Sequence, residues 1–295
     1  MINKKHIIEY YAKSRVSYQD VWHLDTCLAL HYGFWEKGVY SLKQALIREN
    51  QVLANLLNVK STDIILDAGC GVGGSSIFLS KNFKCHVHGI TLSKEQVSIA
   101  TQAAKKHSIS KLLNFSVQDF HNTHFDNDTF DVIWFVESFC HSDKPSDLLK
   151  EMFRILKPNG KILIADGFLL NEDKNEKDNF ILKKWLNNWA ISMIPFLPAI
   201  TKSMTNIGYH NVTTQDYSQK ISKSSLILYI YANLALLYGK LCRLVGKSYG
   251  NNITIKNTIG AKFQYLAFRK KLWRYNIIIA SKPTTTNKAQ NVKSR

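Results

Sequence analysis

Beyond Asp216 the chain has no acidic residue: from Tyr217 to Arg295 it carries fifteen Lys and Arg and not one Asp or Glu. The preceding 216 residues hold only about +2 of the formal net charge of +17. So one-sided a distribution points to an anionic partner surface, either membrane or nucleic acid. Long hydrophobic runs are also missing. There is no stretch of 18 apolar residues and no signal peptide, so the sequence predicts a protein that neither spans a membrane nor is secreted. The greasy segment from Leu226 to Tyr238 is too short to cross a bilayer. In its basic setting it reads as an interfacial helix, a pocket wall, or a core helix with a solvated basic face. Tyr with Lys and Arg at its edges suits a headgroup boundary. Cysteine is sparse, odd in number and scattered, at Cys27, Cys70, Cys85, Cys140 and Cys242. That excludes a disulfide scaffold, offers no metal-ligand spacing, and points to a reducing cytoplasm.

What the chain does have is Ile64-Ile65-Leu66-Asp67-Ala68-Gly69-Cys70-Gly71-Val72-Gly73-Gly74. An apolar run, an acid and a glycine cluster read as a buried strand, a tight turn and a helix start. Glycine there lets the backbone approach a ligand that a side chain would block. Gly69, Gly71 and Gly74 fit the dinucleotide pattern G-x-G-x-x-G. A nicotinamide site, however, places an acid at the end of the second strand. Here Cys85 to Ile90 runs into Thr91-Leu92-Ser93 with no acid. With Asp67 just before the turn, the D-x-G-x-G form resembles motif I of the class I S-adenosylmethionine (SAM) methyltransferases.

The rest of the chain alternates. Residues 63–67 predict a strand, 74–81 a helix and 85–90 a second strand. A helix capped by Ser93 follows, with Gln96 as its capping-box partner. Strands are predicted at 112–117, 130–136 and 161–166, with a helix opened by Pro145 and ended by Lys157-Pro158-Asn159-Gly160. The fold class is therefore α/β, a doubly wound, mostly parallel sheet. The resemblance adds a sixth strand within 206–212 and a final one at 274–280, which implies a seven-stranded, Rossmann-like sheet. Strand C-termini share one edge of such a sheet, and ligands collect there. Asp67, Thr91, Asp119, Glu137 and Asp166 all fall at that edge.

The resemblance assigns roles at these positions. It implies Asp67, Gly69, Gly71 and Gly73 at the methionine part of the cofactor, and Asp119 with Phe120 at the adenine. Glu137 would hold the methionine end through water, or satisfy backbone donors. Gly89-Ile90-Thr91-Leu92-Ser93-x-x-Gln96 is similar to the branch containing tocopherol methyltransferases and cyclopropane fatty acid synthases. There a hydroxyl and an amide, here Thr91 and Gln96, stand in for the acid at the ribose. Glu137-Ser138-x-x-His141 with Asp166 one strand later resembles natural-product O-methyltransferases. By that resemblance His141 is the general base and Asp166 its orienter, and an imidazole suits proton transfer near neutral pH. Cys140 follows Phe139, not the Pro or Thr of nucleophilic cysteines that methylate pyrimidine carbon. Glu-Ser-Phe-Cys likewise replaces the Asp/Asn-Pro-Pro-aromatic of enzymes that methylate nucleic-acid amines. Both departures argue against a nucleic-acid substrate.

The resemblance extends over most of the chain. Residues 1–58 are expected as an N-terminal helical lid, with Ser41 capping the helix that begins at Leu42. Tyr10-Tyr11 and His31-Tyr32-Gly33-Phe34-Trp35 are similar to the family's aromatic lid over the cofactor. Residues 59–283 are expected as the methyltransferase domain, with a helical cap within about 170–270. Residues 284–295 are expected as a disordered tail. The implied function is methyl transfer from SAM to a small lipophilic acceptor, at a hydroxyl or an activated aromatic carbon, in a cytoplasmic protein with peripheral membrane contact. Rival expectations are a sterol or isoprenoid C-methyltransferase, a cyclopropane-forming lipid enzyme, and a non-catalytic basic module binding membrane or RNA.

Overall fold

The computed structural model describes residues 8–11, 13, 28–29, 31–246 and 250–284. The expected tail from residue 285, Cys27 and most of the first thirty residues of the expected lid lie outside these. Helix α1 (Leu42–Leu57) starts where Ser41 predicts it. The Ser41 hydroxyl accepts from the Gln44 amide while the Gln44 side chain accepts from the Ser41 amide, closing a capping box. Asn58 ends the helix in the left-handed region at φ +55°.

Alternation then builds the sheet from β1 (Ile64–Ala68), α2 (Gly74–Phe83), β2 (His86–Thr91), α3 (Lys94–Lys106), β3 (Leu113–Val117), β4 (Phe130–Val136), α4 (Pro145–Ile155) and β5 (Leu156–Phe168). The helical cap follows as α5 (Glu176–Asn188) and α6 (Leu197–Ile207), then the edge strand β6 (His210–Asp216), the long α7 (Ser218–Leu244) and α8 (Asn252–Arg269). Strand β7 (Arg274–Ser281) returns into the sheet. The strand order is β3-β2-β1-β4-β5-β7-β6. The first five strands are parallel, and β7 runs antiparallel to both its neighbours. Strand β1 therefore sits where the order reverses, with β2 on one side and β4 on the other. That is the crevice position for a ligand in an open α/β sheet.

Both faces of the sheet are covered, which is why the strands read as near-continuous apolar runs. Along β5 and β7 successive residues turn to opposite faces. Leu163 and Ile277 join one core with Leu53, Leu79 and Trp134, while Ile164 and Ile278 join the other with Leu148 and Met152. Lys157 to Gly160 do not separate helix from strand as the sequence predicts. They form a bulge inside β5, whose pairing jumps from Phe130↔Leu156 to Val132↔Lys161.

In the cap, Trp185 packs on Trp273 with ring centroids 4.9 Å apart. The Trp189 ring lies so close to Gly260 that a Cβ there would be 2.2 Å from it. Helix α7 departs from expectation in length. Ser, Asn and Lys interspersed among its apolar residues do not break it, so it runs 27 residues and is long and apolar enough to cross a membrane by length and composition. Its inner face (Ile221, Ser225, Leu228, Ala232, Cys242) is nevertheless built into the protein.

Candidate active site

A cavity of about 550 Å³ opens at the C-terminal ends of β1, β2 and β4. The glycine turn forms its floor. Gly69 and Cys70 both donate to the Ile90 carbonyl, at 2.9 and 3.0 Å, and Gly73 donates to the Cys70 carbonyl at 2.9 Å. Gly69 and Gly71 hold positive φ, at +85° and +53°. A Cβ on Gly69 would lie 2.5 Å from the Ser138 Cβ, whereas one on Gly71 would meet nothing within 4 Å and project into open space. The turn thus presents bare backbone to the cavity at Gly71. Gly73 does not line the cavity. Its expected ligand role gives way to a packing one, because a Cβ there would meet Ala100 and Phe115 at 2.9 Å. Gly74 takes its place in the lining.

Asp67, Thr91, Gln96, Asp119, Phe120, Glu137 and His141 all line this one cavity. Asp67 accepts from the Ser76 hydroxyl at 2.6 Å, and burial pushes its carboxyl up to about 6. Thr91 donates to the Gln96 side-chain oxygen. That contact replaces the expected reciprocal half of the α3 capping box. Ser93 does accept from the Gln96 amide, at 3.3 Å, but the Gln96 side chain turns to Thr91 and the cavity. Asp119 is held through Oδ1 by the His121 backbone amide at 2.9 Å and by His121 Nδ1 at 3.0 Å. His121 Nε2 lies 2.8 Å from the Ser142 hydroxyl, which anchors the far side of the ring. Phe120 sets its ring edge-on to Phe135.

Glu137 follows β4 in the left-handed region, at φ +51°, a conformation that costs a non-glycine residue about 1 kcal/mol or more. The Tyr32 amide donates to its carboxylate at 2.8 Å. Burial, with the Glu49 and Asp166 charges nearby, pushes the Glu137 carboxyl well above the usual range. Glu49, fully buried on α1, accepts from Gly33 N at 2.8 Å and Tyr275 Oη at 2.6 Å and lies 2.6 Å from His31 Nδ1. The sequence reading missed this residue. The available signal was an acid on the apolar stripe Ala45, Leu46, Leu53 of α1. His121 was missed as well, two residues past Asp119.

The expected His141–Asp166 pair does not form. Asp166 Oδ2 accepts from Cys140 N at 2.9 Å and braces the loop after β4, while Oδ1 accepts from Gly167 N of its own strand at 2.7 Å. It lies outside the cavity lining, and burial pushes it up to about 6. His141 Nε2 instead meets the Tyr11 hydroxyl at 2.8 Å. Burial pulls the imidazole down to about 4, an effect the Ala190 backbone partly offsets. The imidazole is therefore neutral at pH 7.

Of the aromatic lid, Tyr11 and His31 reach the cavity. Tyr32 and Phe34 are core residues, packed on Trp273, Tyr275 and Tyr217. Trp35 donates to Ser224 at 2.7 Å and carries Lys223 over its face. That half of the segment ties the cavity wall to α7 and does not cover a ligand.

A family model described as a methyltransferase domain matches residues 66–164, the stretch from β1 to β5 that carries the cavity floor. The sterol 24-C-methyltransferase of Saccharomyces cerevisiae is 25% identical over 190 residues, covering 64% of this chain and 49% of that protein. The 2-methyl-6-phytyl-1,4-hydroquinone methyltransferase of Synechocystis sp. is 31% identical over 160 residues, covering 52% and 49%. This chain thus spans about half the length of these relatives. Among solved structures the cyclase SpnF superposes with a TM-score of 0.74 at 21% identity, over 96% of this chain and 97% of that one, which shows the shared fold. The matched domain coincides with the strands that assemble the glycine turn, the Thr91–Gln96 pair and the Asp119–Phe120 step. Residues 66–164 thus match a methyltransferase domain, and over that stretch the chain is similar to methyltransferases.

Proposed function

We propose that this protein transfers a methyl group from SAM to a small lipophilic acceptor. The observation that carries the reading is the single cavity that gathers the strand-end residues Asp67, Thr91, Asp119 and Glu137 around the open backbone of Gly71. The donor set suits the cofactor. Asp67 and Gly71 would hold its methionine part, Thr91 and Gln96 the ribose hydroxyls, and Asp119 with Phe120 the adenine. Bound there, SAM supplies an electrophilic methyl group on a sulfonium. The acceptor side of the cavity is greasy, with Ile8, Leu28, Ala29 and Val136 in its wall, and that supports a lipophilic acceptor.

For a hydroxyl acceptor, His141 is the proton acceptor in reach. Its neutral imidazole can take the proton at Nε2 once Tyr11 yields that position. A base this weak is adequate, because the acceptor oxygen becomes strongly acidic only as it bonds the methyl carbon. Asp166 acts on His141 only through the loop it braces.

A second reading, carbon methylation at an isoprenoid double bond, is supported by Glu137 in the wall with Glu49 close by. Positive charge developing on carbon favours ionisation of the Glu137 carboxyl, which burial otherwise holds neutral, and the ionised carboxylate would take the proton that the methylated carbon loses. Methyl-labelled SAM incubated with the protein and a fractionated lipid extract tests both. Under the hydroxyl reading, His141→Ala lowers labelling of an organic-soluble product by about 10²–10⁴. Under the carbon reading that variant retains activity and Glu137→Gln loses it. No transfer to any lipid fraction, despite SAM binding, refutes the lipophilic acceptor.

A further inference from the structure

Helix α7 presents an apolar stripe that nothing in the described structure covers. Ile230, Leu234, Leu237, Leu241 and Leu244 are spaced alternately by four and three, so they fall on one face of the helix. All five are exposed, Leu234, Leu237 and Leu241 by 57, 55 and 53%. Leu226, Tyr231, Tyr238 and Val245 widen the band. Nine half-exposed residues of this size make an apolar patch on the order of 800 Å², more than the few hundred Å² usual on a monomer. The stripe runs about 21 Å along the helix.

From these features we infer that α7 docks the protein onto an anionic membrane surface, lying in the interface plane with the leucine stripe among the lipid chains. Three observations select this occupant. Charge complementarity is the first. Lys240 and Arg243 are exposed on the same helix and make no ion pair among the described residues, and no acid occurs anywhere from Tyr217 onward. Tyr231 and Tyr238, on the border of the stripe, are amphipathic rings suited to headgroup depth.

The second observation bears on self-association. The stripe has the spacing of a coiled-coil seam, but such a seam takes opposite charges on its flanks. Here the flanking positions are Tyr231, Tyr238, Asn233 and Lys240, so two copies would bring basic groups together with no acid to pair them.

Third, α7 cannot cross the membrane while the protein stays folded. Its start is tied to the sheet, with the Tyr275 amide donating to Ser218 at 2.9 Å. Farther along, Ser225 donates to Gln264 at 2.9 Å and Tyr229 stacks on Tyr265 of α8. One face is fixed in protein and the other is left for lipid. This surface is independent of methyl transfer, so its failure leaves the proposed activity intact.

The test is flotation of the full chain with vesicles of phosphatidylcholine alone or with about one-third phosphatidylglycerol. The protein is expected on the anionic vesicles, with binding reduced several-fold in about 0.5 M salt as the charges are screened. Leu234→Glu/Leu237→Glu/Leu241→Glu and, separately, Lys240→Glu/Arg243→Glu should each weaken binding about tenfold or more. Both change exposed positions, so unchanged thermal melting and SAM affinity check that the fold is intact. Equal binding to neutral vesicles, or none to either, overturns the inference. So does a dimer in light scattering that the leucine variant dissociates without any vesicle binding, which would make a second copy the occupant. Binding to an RNA duplex that the leucine variant retains, without vesicle binding, assigns the basic surface to nucleic acid and also overturns it.

Discussion

Gly69 and Gly71 stand two residues apart in the same turn, both with positive φ, yet alanine should act differently at each. At Gly69 the new Cβ meets the Ser138 Cβ at 2.5 Å, and Ser138 is pinned by its hydroxyl bond to the Ala68 carbonyl. Backbone strain of about 1–2 kcal/mol adds to overpacking of about 1–3 kcal/mol, giving a loss of roughly 2–5 kcal/mol. For a protein of this size that lowers Tm by about 5–15 °C. At Gly71 the Cβ meets nothing within 4 Å. Only the strain remains, about 1–2 kcal/mol and a few degrees of Tm. Its methyl group, however, projects into the cavity where cofactor and backbone should touch. Gly71→Ala should weaken binding of SAM and S-adenosylhomocysteine about tenfold or more while the protein stays folded. Thermal melts and titration calorimetry on the two variants decide the matter. Equal melting losses, or unchanged SAM affinity in Gly71→Ala, would refute the assignment of the turn as the cofactor floor.

Other expectations follow from the buried acids and the lid. Glu49→Gln removes the charge that unites His31, Gly33 and Tyr275. It should cost about 3 kcal/mol or more in denaturant unfolding, and a loss below 1 kcal/mol would show that the network is not structural. Asp67 titrates near 6 because burial disfavours its charge, and an approaching cationic ligand favours that charge. SAM affinity should therefore be full above pH 7 and fall as pH drops through 6, toward about tenfold per pH unit. Asp67→Asn should bind weakly at all pH values with that step removed, and a step that persists would place the titrating group elsewhere. Tyr11→Phe keeps the lid ring but frees His141 Nε2, so the acid limb of the transfer pH profile should move; an unmoved limb would separate Tyr11 from the proton path.

Periodicity and turn chemistry made the sheet legible in the sequence. Apolar runs ending at Asp67, Thr91 and Glu137 marked strands and the shared edge, and the ends of β4 fell where the pattern placed them. The residues that line the cavity were legible because they sit on backbone-defined strand ends, where one residue step fixes direction. Side-chain partnerships across distant segments were not. Asp166 is on the correct strand, but the loop after β4 turns its Cys140 amide toward the carboxylate and carries His141 off toward Tyr11, 130 residues away in sequence. Glu49 escaped notice because its value lies in three partners drawn from two other segments. The length of α7 was underestimated because a run of consecutive apolar residues is the wrong measure. Serine, asparagine and lysine on the other faces do not interrupt a stripe spaced by three and four.

The most direct test of the account is a crystal structure with S-adenosylhomocysteine, the product left after methyl transfer. The account predicts adenine between Asp119 and Phe120, ribose hydroxyls on Thr91 and Gln96, the homocysteine over Gly71, and sulfur facing the Tyr11–His141 side. S-adenosylhomocysteine bound elsewhere, or reversed so that adenine lies at Asp67, would contradict it.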